Sequence, residues 1–239
     1  PNGRGLQYLA QLGHDIEPPV PSLFTFNIKD RAFCDLMGTV VDPVVTTIPG
    51  TKLRAKGPLL VTHWGVSGPA VLKLSSYAAR LLAENDYKAP LAISWTGELT
   101  RQEVEENLLK LQTANPRKQV ATLHPFGLPS RLWLYILSKL DIDAVKPWAE
   151  IGRKTLNRMI ETLANDQYTI AGKGAFREEF VTCGGVSLSS VNSKTLESKV
   201  CPNLFFAGEV LDIDAITGGF NLQAAWTTGV VAGQCAAGS

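Results

Sequence analysis

The sequence predicts an α/β chain that also contains a β-barrel and a helical insert. Residues 23–61 are rich in β-branched and aromatic residues and are interrupted by Asp-Pro, Pro-Gly and Gly-Pro turns. Residues 100–163 carry apolar residues at helical spacing. The chain then returns to strand-like runs and ends on a short apolar strand, 203–207, followed by a helix from about residue 221. These three observations predict a β-rich domain interrupted by helices and followed by a β-then-α unit.

The first residues predict an amphipathic helix over 5–13, closed by Gly13. The stretch "EPPVPS" (17–22) follows. Because each proline lacks an N–H donor and restricts the residue before it, we expect this stretch to break regular structure.

The next segments predict a small antiparallel sheet or barrel. "SLFTFNI", "GTVVDPVVTTI" and "TKLRAKGPLLVTH" are its strands, and "APLAISWTG" is a further strand. Between them, Ser67 is a candidate N-cap and Pro69 lies in the first turn of a helix.

The helical block opens with a predicted capping box. Thr100 is followed three residues later by Glu103. "SRLWLYILSKL" and "EIGRKTLNRMIETLAN" continue as amphipathic helices, and "YTIAGKG" and "EEFVTCGGVSL" return to strand texture. No repeat or low-complexity linker divides the chain, so we interpret the helices as an insert in a β-rich domain.

Composition excludes several function classes. The chain has 239 residues, 45% apolar and 19% charged, which is typical of an ordinary soluble globular protein. A net charge of +1 without a basic stripe argues against a nucleic-acid partner. No apolar run approaches 20 residues, so we expect no membrane span. The first residues resemble no signal or transit peptide, and the missing initiator Met predicts that the true start lies upstream.

Cysteine and histidine usage points to a reducing compartment without a metal site. None of the four cysteines has CxxC spacing, which favours reduced thiols and a cytoplasmic location over disulfides. His14, His63 and His124 are scattered without metal-ligand spacing, so we expect no bound metal.

The segment "AGEVLDIDAITGGFNLQAAW" (207–226) has the properties of a cofactor-site wall. The first N–H groups of the helix after it lack intrahelical partners and carry partial positive charge. Gly218 and Gly219 allow close backbone approach, and Glu209 can accept hydrogen bonds from sugar-like hydroxyls. A ligand with a polyol chain and an electron-accepting ring, such as a flavin, suits this arrangement. A tight turn beside a solvated loop containing Asp212 and Asp214 explains the same residues.

The phosphate cradle of a dinucleotide site is missing from this sequence. A strand–GxGxxG–helix would supply it. "GRGLQY" (3–8) and "GKGAFR" (172–177) have the first two glycines but lack the third.

Four segments together resemble a bacterial flavoprotein family of NAD(P)/FAD-dependent oxidoreductases, which includes aminoacetone oxidase and a bile-acid 7-dehydroxylation reductase. They are "THWGVSGPAVLKLS" (62–75), "VTCGGVSL" (181–188), "TLESK" (195–199) and "NLFFAGEVLDIDAITGGFNLQAAWTTGVVAG" (203–233), with "LGHDIEPPVPSLFTF" near the start. The similarity covers essentially the whole chain but begins after the family's GxGxxG segment. The resemblance therefore implies the C-terminal portion of a Rossmann-like FAD-binding flavoprotein.

The resemblance implies three domain segments. Residues 1–20 and 178–239 would be the remnant of the Rossmann-like FAD-binding domain. Residues 21–99 and 164–177 would form the β-barrel-like domain, and 100–163 the helical insert domain.

The resemblance also assigns cofactor-contacting residues. The "AGE" motif would face the ribityl or pyrophosphate part of FAD, "TGGFN" and the two residues after it would lie along the ring, and "TCGGV" would allow close backbone approach. These motifs contribute Gly208, Glu209, Thr217, Gly218, Gly219, Phe220, Asn221, Leu222, Gln223, Thr182, Gly184 and Gly185. Asp212 and Asp214 are equally well explained by loop hydrogen bonds, and a β-turn explains the paired glycines of "TCGGV" equally well.

His63, beside Trp64, is the candidate catalytic residue, since a histidine can move protons near neutral pH. A capping or packing role is the alternative for this side chain. Cys183 is interpreted as a packed thiol, because no neighbour in the sequence would lower its pKa.

The predicted function is an FAD-dependent oxidoreductase acting on a small-molecule substrate. Hydride transfer to or from the flavin would be coupled to NAD(P) or O₂. The sequence leaves two alternatives open, a non-catalytic binding or scaffold domain and a flavin-dependent RNA-modifying protein. Without the GxGxxG segment, the chain alone is expected to retain FAD weakly and to be inactive.

Overall fold

The computed structural model describes residues 3–174 and 181–238. The expected domain segments also include residues 1–2, 175–180 and 239, which lie outside the described residues. The strands are β1 (Ile16–Ser22), β2 (Phe26–Ile28), β3 (Val40–Thr47), β4 (Arg54–Thr62), β5 (Gly65–Ser67), β6 (Ala89–Ser94), β7 (Asp166–Lys173) and β8 (Val181–Val186). The α-helices are α1 (Arg4–Gln11), α2 (Arg31–Cys34), α3 (Pro69–Tyr77), α4 (Ala79–Glu84), α5 (Arg101–Ala114), α6 (Ser130–Lys139), α7 (Arg153–Asn165) and α8 (Phe220–Ala236).

Six strands close into an antiparallel barrel in the order β2-β5-β4-β3-β6-β7, which confirms the predicted barrel. Its inward residues, such as Val44, Leu59, Val61 and Ile93, are fully or almost fully buried. Closure leaves no free edge in the barrel, so every strand pairs on both sides.

The helices α5, α6 and α7 lie between β6 and β7 in the sequence and share one core with the barrel. Thr100 and Glu103 form the predicted capping box at the start of α5. Trp133 and Trp148 are buried in this helical part, with parallel rings 6.4 Å apart.

The helix α3 begins differently from the expectation. Ser67 is the last residue of β5, and Gly68, with φ at +96°, is the N-cap. A Cβ at Gly68 would lie 2.8 Å from the Pro58 carbonyl oxygen, so the close approach of β4 selects glycine there. Pro69 occupies the first turn as predicted.

The proline-rich stretch forms a strand, so the expectation that it breaks regular structure is wrong. It lies in β1, which pairs only with β8 in an antiparallel two-stranded sheet. A bulge between Glu17 and Val20 contains Pro18 and Pro19. Prolines are tolerated in edge strands and at bulges, because fewer backbone N–H groups are needed as hydrogen-bond donors there.

A second, smaller core joins the two ends of the chain. Its buried members are Val186, Val191, Leu196, Phe206, Leu211 and Ala232. His14 is buried against it, with Nε2 2.7 Å from the Ser198 hydroxyl oxygen. This terminal core lies outside the barrel core.

The expected strand over 203–207 is wrong, because Phe205 makes only an isolated bridge with Glu197. In the described part of the chain, the bridge between Val186 and Leu211 is the one parallel pairing. A Rossmann-like remnant therefore stays a prediction.

The helix α8 contains no charged residue, and most of its surface is exposed. Leu222, Trp226 and Val230 recur every fourth residue, and their exposed fractions are 64%, 68% and 59%. Within residues 3–174 and 181–238, no element covers this apolar face, and no helix is long and apolar enough to span a membrane.

A buried carboxylate joins the helical part to the barrel. Asp166, 3% exposed, accepts hydrogen bonds from Trp95 Nε1 (2.9 Å) and the Tyr168 hydroxyl (2.7 Å). It also accepts from Lys139 Nζ of α6 at 2.6 Å. Burial, the Asp166 charge and Tyr135 raise the pKa of Tyr168, which therefore stays protonated and donates.

We expect Asp166→Ala to lower the free energy of unfolding by about 3–5 kcal/mol, because the buried Trp95 and Tyr168 and the partly exposed Lys139 lose their acceptor. Urea denaturation measures the change. Glu161→Ala is the matched control, since it removes the exposed Arg101–Glu161 pair (3.6 Å) and should cost less than about 1 kcal/mol. Equal losses of unfolding free energy in the two variants would show that Asp166 does not join the helical part to the barrel.

Candidate functional site

A cavity of about 700 Å³ lies between the barrel and the N-terminal end of α8. This size is within the range of small-molecule sites, about 300–1,000 Å³. Leu23, after β1, Leu72 of α3 and Val181 of β8 line part of it. The lining also includes six residues predicted from the sequence: Glu209, Thr217, Gly218, Gly219, Asn221 and Leu222. Ile216 and Ala225 complete the lining.

Side chains of α8 hold the wall segment 208–219 in place. The Asn221 amide accepts from Ala215 N and donates to Ala215 O, both at 2.8 Å. The Thr228 hydroxyl accepts from Gly208 N at 2.9 Å. Asn221 and Thr228 therefore tie both ends of this wall segment to one helix.

The loop also has anchors on the other side of the cavity. The Ser22 hydroxyl donates to Asp214 Oδ2 at 2.9 Å, and the Arg80 guanidinium lies 3.6 Å from Asp212 Oδ1. These contacts explain both aspartates as loop anchors, the alternative left open by the sequence.

Gly219 leaves space at the helix start. Its φ is +84°, and an added Cβ would meet no atom within 4 Å. The helix begins with the bond from Gln223 N to Gly219 O, so the N–H groups of Phe220, Asn221 and Leu222 have no intrahelical partner. A flat group with acceptor atoms can therefore approach this backbone.

A second cavity, about 490 Å³, lies on the other side of Glu209. Residues of α1, β1 and β8 line it, among them Leu6, Val20, Thr182 and Gly184. Glu209 lines both cavities, is exposed, and its carboxylate has no partner among the described residues. An unpaired carboxylate there can accept hydrogen bonds from ligand hydroxyl groups.

The glycines of β8 are explained by packing. A Cβ at Gly184 would lie 2.5 Å from the Pro18 carbonyl oxygen, and one at Gly185 would lie 2.5 Å from that of Val210. Real Cβ atoms do not approach other atoms so closely. The backbones of β1 and of residues 210–211 can therefore lie this near to β8 only because positions 184 and 185 are glycines. The close backbone contact at Gly185 is with residues 210–211 of the chain itself.

Two predicted residues of α8, Phe220 and Gln223, do not line this cavity. A Cβ at Gly218 would lie 3.0 Å from the Phe220 ring, and that ring is 56% exposed. Gln223 donates to the Thr227 hydroxyl at 3.1 Å. Phe220 and Gln223 are absent from the cavity lining, while Gly208 lines a small crevice behind Glu209.

The structure does not bring His63 together with the predicted cofactor residues. His63 is exposed, contacts Trp64 edge to face, and lines a separate cavity of about 530 Å³ with Ile28, Asp30 and Cys34. Leu23 and Ile28, at opposite ends of the segment containing β2, line the two different cavities. Desolvation and the charges of Asp30 and Asp35 raise the pKa of Cys34.

Three lining residues were given no role by the sequence analysis. Leu23, Leu72 and Val181 lie within segments that carry the resemblance, but they are ordinary apolar residues, and only folding brings them into one cavity with Gly219. The unusual backbone of Leu23, with φ at +58°, gives no sequence signal.

Cys183 lies in β8 beside the loop anchor. Burial, followed by the negative charge of Asp214 and a hydrogen bond to it, raises the pKa of Cys183 to about 11, and Arg80 partly opposes this. The thiol therefore stays protonated near neutral pH, in agreement with a packed role.

Residues 20–181 match the family model described as HI0933-like protein barrel and H2TH domain. The chain is 31% identical over 227 residues to the ribosomal RNA dihydrouridine synthase of Haemophilus influenzae, covering 94% of this chain and 53% of that protein. It is 29% identical over 241 residues to the 3-dehydro-bile acid delta(4,6)-reductase of Clostridium scindens, covering 99% of this chain and 58% of the relative. The Escherichia coli ribosomal RNA dihydrouridine synthase is 29% identical over 229 residues, with 94% of this chain and 54% of that protein covered. The chain thus spans little more than half the length of these relatives.

We expect alkylation of Cys183 by iodoacetamide to rise with pH around a midpoint near 11, against about 8.5 for an unperturbed thiol. The raised pKa keeps the reactive thiolate scarce below that midpoint. Asp214→Asn should move the midpoint to lower pH, because it removes the repelling charge.

Mass spectrometry of the Cys183 peptide measures the rate separately from the other cysteines. Ser22→Ala is the control, since it removes a hydrogen bond to Asp214 but keeps the charge. An unchanged midpoint in Asp214→Asn would exclude Asp214 as the cause.

Proposed function

Since residues 20–181 match its model, the chain belongs to the HI0933-like family, and we propose that it forms the ring-binding part of a flavin-dependent oxidoreductase. The observation that carries the proposal is the cavity between Leu23 and Gly219, with the start of α8 at its edge. In this proposal, residues 1–20 and 178–239 belong to the flavin-binding α/β portion, 21–99 and 164–177 to the barrel, and 100–163 to the insert.

The described residues fit the ring and polyol chain of a flavin. The open backbone at Gly219 and the N–H groups of the first turn of α8 would face the polar edge of the ring. The carboxylate of Glu209 would accept hydrogen bonds from the ribityl hydroxyls. Ile216, two residues before Gly218, would keep water from the ring.

The diphosphate of FAD has no comparable partner in this sequence, which lacks GxGxxG. Riboflavin and FAD should therefore bind this chain with similar affinity. A clear preference for FAD would show that residues other than a GxGxxG segment bind its diphosphate.

The names of the relatives support one type of reaction. A delta(4,6)-reductase of a 3-dehydro bile acid and a dihydrouridine synthase both saturate a carbon–carbon double bond near a carbonyl group. A reduced flavin would supply the hydride for such a reaction, water would supply the proton that completes the saturation, and NAD(P)H would reduce the flavin again. If the reaction ran as an oxidation, O₂ would instead accept the electrons from the flavin. We propose that this chain contributes to hydride transfer to a conjugated double bond.

Modification of RNA is the second candidate, in line with the names of two relatives. Residues 100–163 contain ten Lys and Arg against seven Asp and Glu, although the whole chain is nearly neutral. Lys118 and Lys146 flank the bridge between Gln119 and Pro147, with Arg117 adjacent, and none of these three cations has a partner among the described residues. Phosphate groups of RNA would bind such a cluster.

We expect Glu209→Gln to weaken riboflavin binding by about 1.5–3 kcal/mol, the size of hydrogen bonds to a charged group. Lumiflavin, which has the same ring but no ribityl hydroxyls, should bind this variant and the unmodified chain equally. Quenching of flavin fluorescence measures both affinities.

A pair of glycine variants controls for the ring position. Gly219→Val should abolish binding of both flavins, because its side chain enters the open space. Gly50→Val, with φ at +82° and equally open surroundings away from the cavity, should bind normally. Full affinity in Glu209→Gln and Gly219→Val would refute the flavin site.

If the RNA candidate is correct, replacing Arg117, Lys118 and Lys146 by Gln should weaken the binding of a ribosomal RNA fragment. The slope of log affinity against log salt concentration should fall by up to about three, one for each lost phosphate contact. Filter binding at several salt concentrations measures both quantities. Replacing Lys52, Lys88 and Lys199 by Gln changes net charge equally and is the control. Equal effects of the two triple variants would exclude a specific RNA-binding surface.

A further inference from the structure

Leu23 adopts a backbone conformation that leucine rarely takes. Its φ is +58°, in the left-handed region, although the side chain is only 3% exposed. Such a conformation is unfavourable for a residue with a Cβ and persists only where the surroundings impose it. Strained residues of this kind cluster at ligand sites, and Leu23 lines the large cavity.

Hydrogen bonds fix the backbone on both sides of Leu23. The Ser22 hydroxyl donates to Asp214 in the wall segment 208–219, at 2.9 Å. Phe24 N donates to the Ser75 hydroxyl of α3, also at 2.9 Å. Ser22 and Ser75 are completely buried, so water does not compete for these bonds.

The same Ser75 hydroxyl also contacts the backbone of Leu72, one turn earlier in α3. It donates to the Leu72 carbonyl oxygen at 2.8 Å while accepting from Phe24 N. One buried hydroxyl therefore connects the backbone of Leu72 to the residue after Leu23. We call these two leucines the Leu23–Leu72 wall.

The Leu23–Leu72 wall lines the same cavity as Gly218 and Gly219. In the proposed function, the flavin ring occupies the glycine side, beside the start of α8. A substrate must then enter between the ring and the two leucines. The wall has no polar side chain to orient a charged substrate.

We propose that the Leu23–Leu72 wall determines which substrates can lie against the flavin ring, admitting flat, uncharged, conjugated molecules and limiting their size. This inference rests on the proposed flavin site. The strained backbone of Leu23 holds its side chain in the cavity, and shortening either leucine admits a larger molecule.

The test uses the complete chain loaded with riboflavin and two probes, phenol and the larger 4-phenylphenol. Phenols that stack on oxidised flavin produce a long-wavelength charge-transfer absorbance, which reports binding without turnover. Leu23→Ala and Leu72→Ala should each raise the affinity for 4-phenylphenol relative to phenol about tenfold or more, the scale of hydrophobic-pocket discrimination. Their affinity for riboflavin itself should not change.

Leu196→Ala is the matched control. Leu196 also has a positive φ, +59°, and is 9% exposed, but it belongs to the terminal core and does not line this cavity. Its probe ratio should equal that of the unmodified chain, and circular dichroism verifies that all three variants are folded.

The outcomes separate the two proposals. An unchanged probe ratio in both wall variants, with riboflavin bound, overturns the substrate wall and leaves the flavin site standing. A loss of riboflavin affinity in the wall variants also overturns it, because the leucines would then contact the cofactor. If the unmodified chain binds no riboflavin, the proposed function itself fails.

Discussion

The close approach at Gly184 and Gly185 is the constraint on which the rest of the structure depends. These two residues let β8 lie directly against β1 on one side and against residues 210–211 on the other. Any side chain at either position would collide with backbone. The pairing brings β1 beside β8, and Leu6 and Leu9 of α1 pack in the same terminal core as Leu211 and Val231.

The cavity follows from that arrangement. Once β1 is fixed, Ser22 can bond Asp214, and the loop lines one cavity with Leu23. The helix α8 then holds the loop from behind through Asn221 and Thr228. The cavity is thus determined by contacts between residues that lie far apart in the sequence, such as Ser22 and Asp214.

Local signals in the sequence were sufficient to predict the barrel and much of the wall segment 208–219. Runs such as "VVDPVVTTI", the capping box at Thr100 and the glycines before α8 depend on neighbouring residues alone. No local pattern indicates that "EPPVPS" pairs with β8, because that contact joins residues about 165 positions apart. The roles of Leu23 and Leu72 were equally inaccessible, since a positive φ and a shared Ser75 hydroxyl are tertiary properties. His63 is the opposite case, a residue that the sequence analysis chose for its chemistry. It lines a different cavity from the predicted cofactor residues.

A crystal structure of the chain with riboflavin soaked into the crystals tests the proposed flavin site most directly. We expect electron density for the ring between Gly219 and the Leu23–Leu72 wall, with the ribityl hydroxyls beside Glu209. Density for the ring in the His63 cavity, or none in the cavity between Leu23 and Gly219, would contradict it.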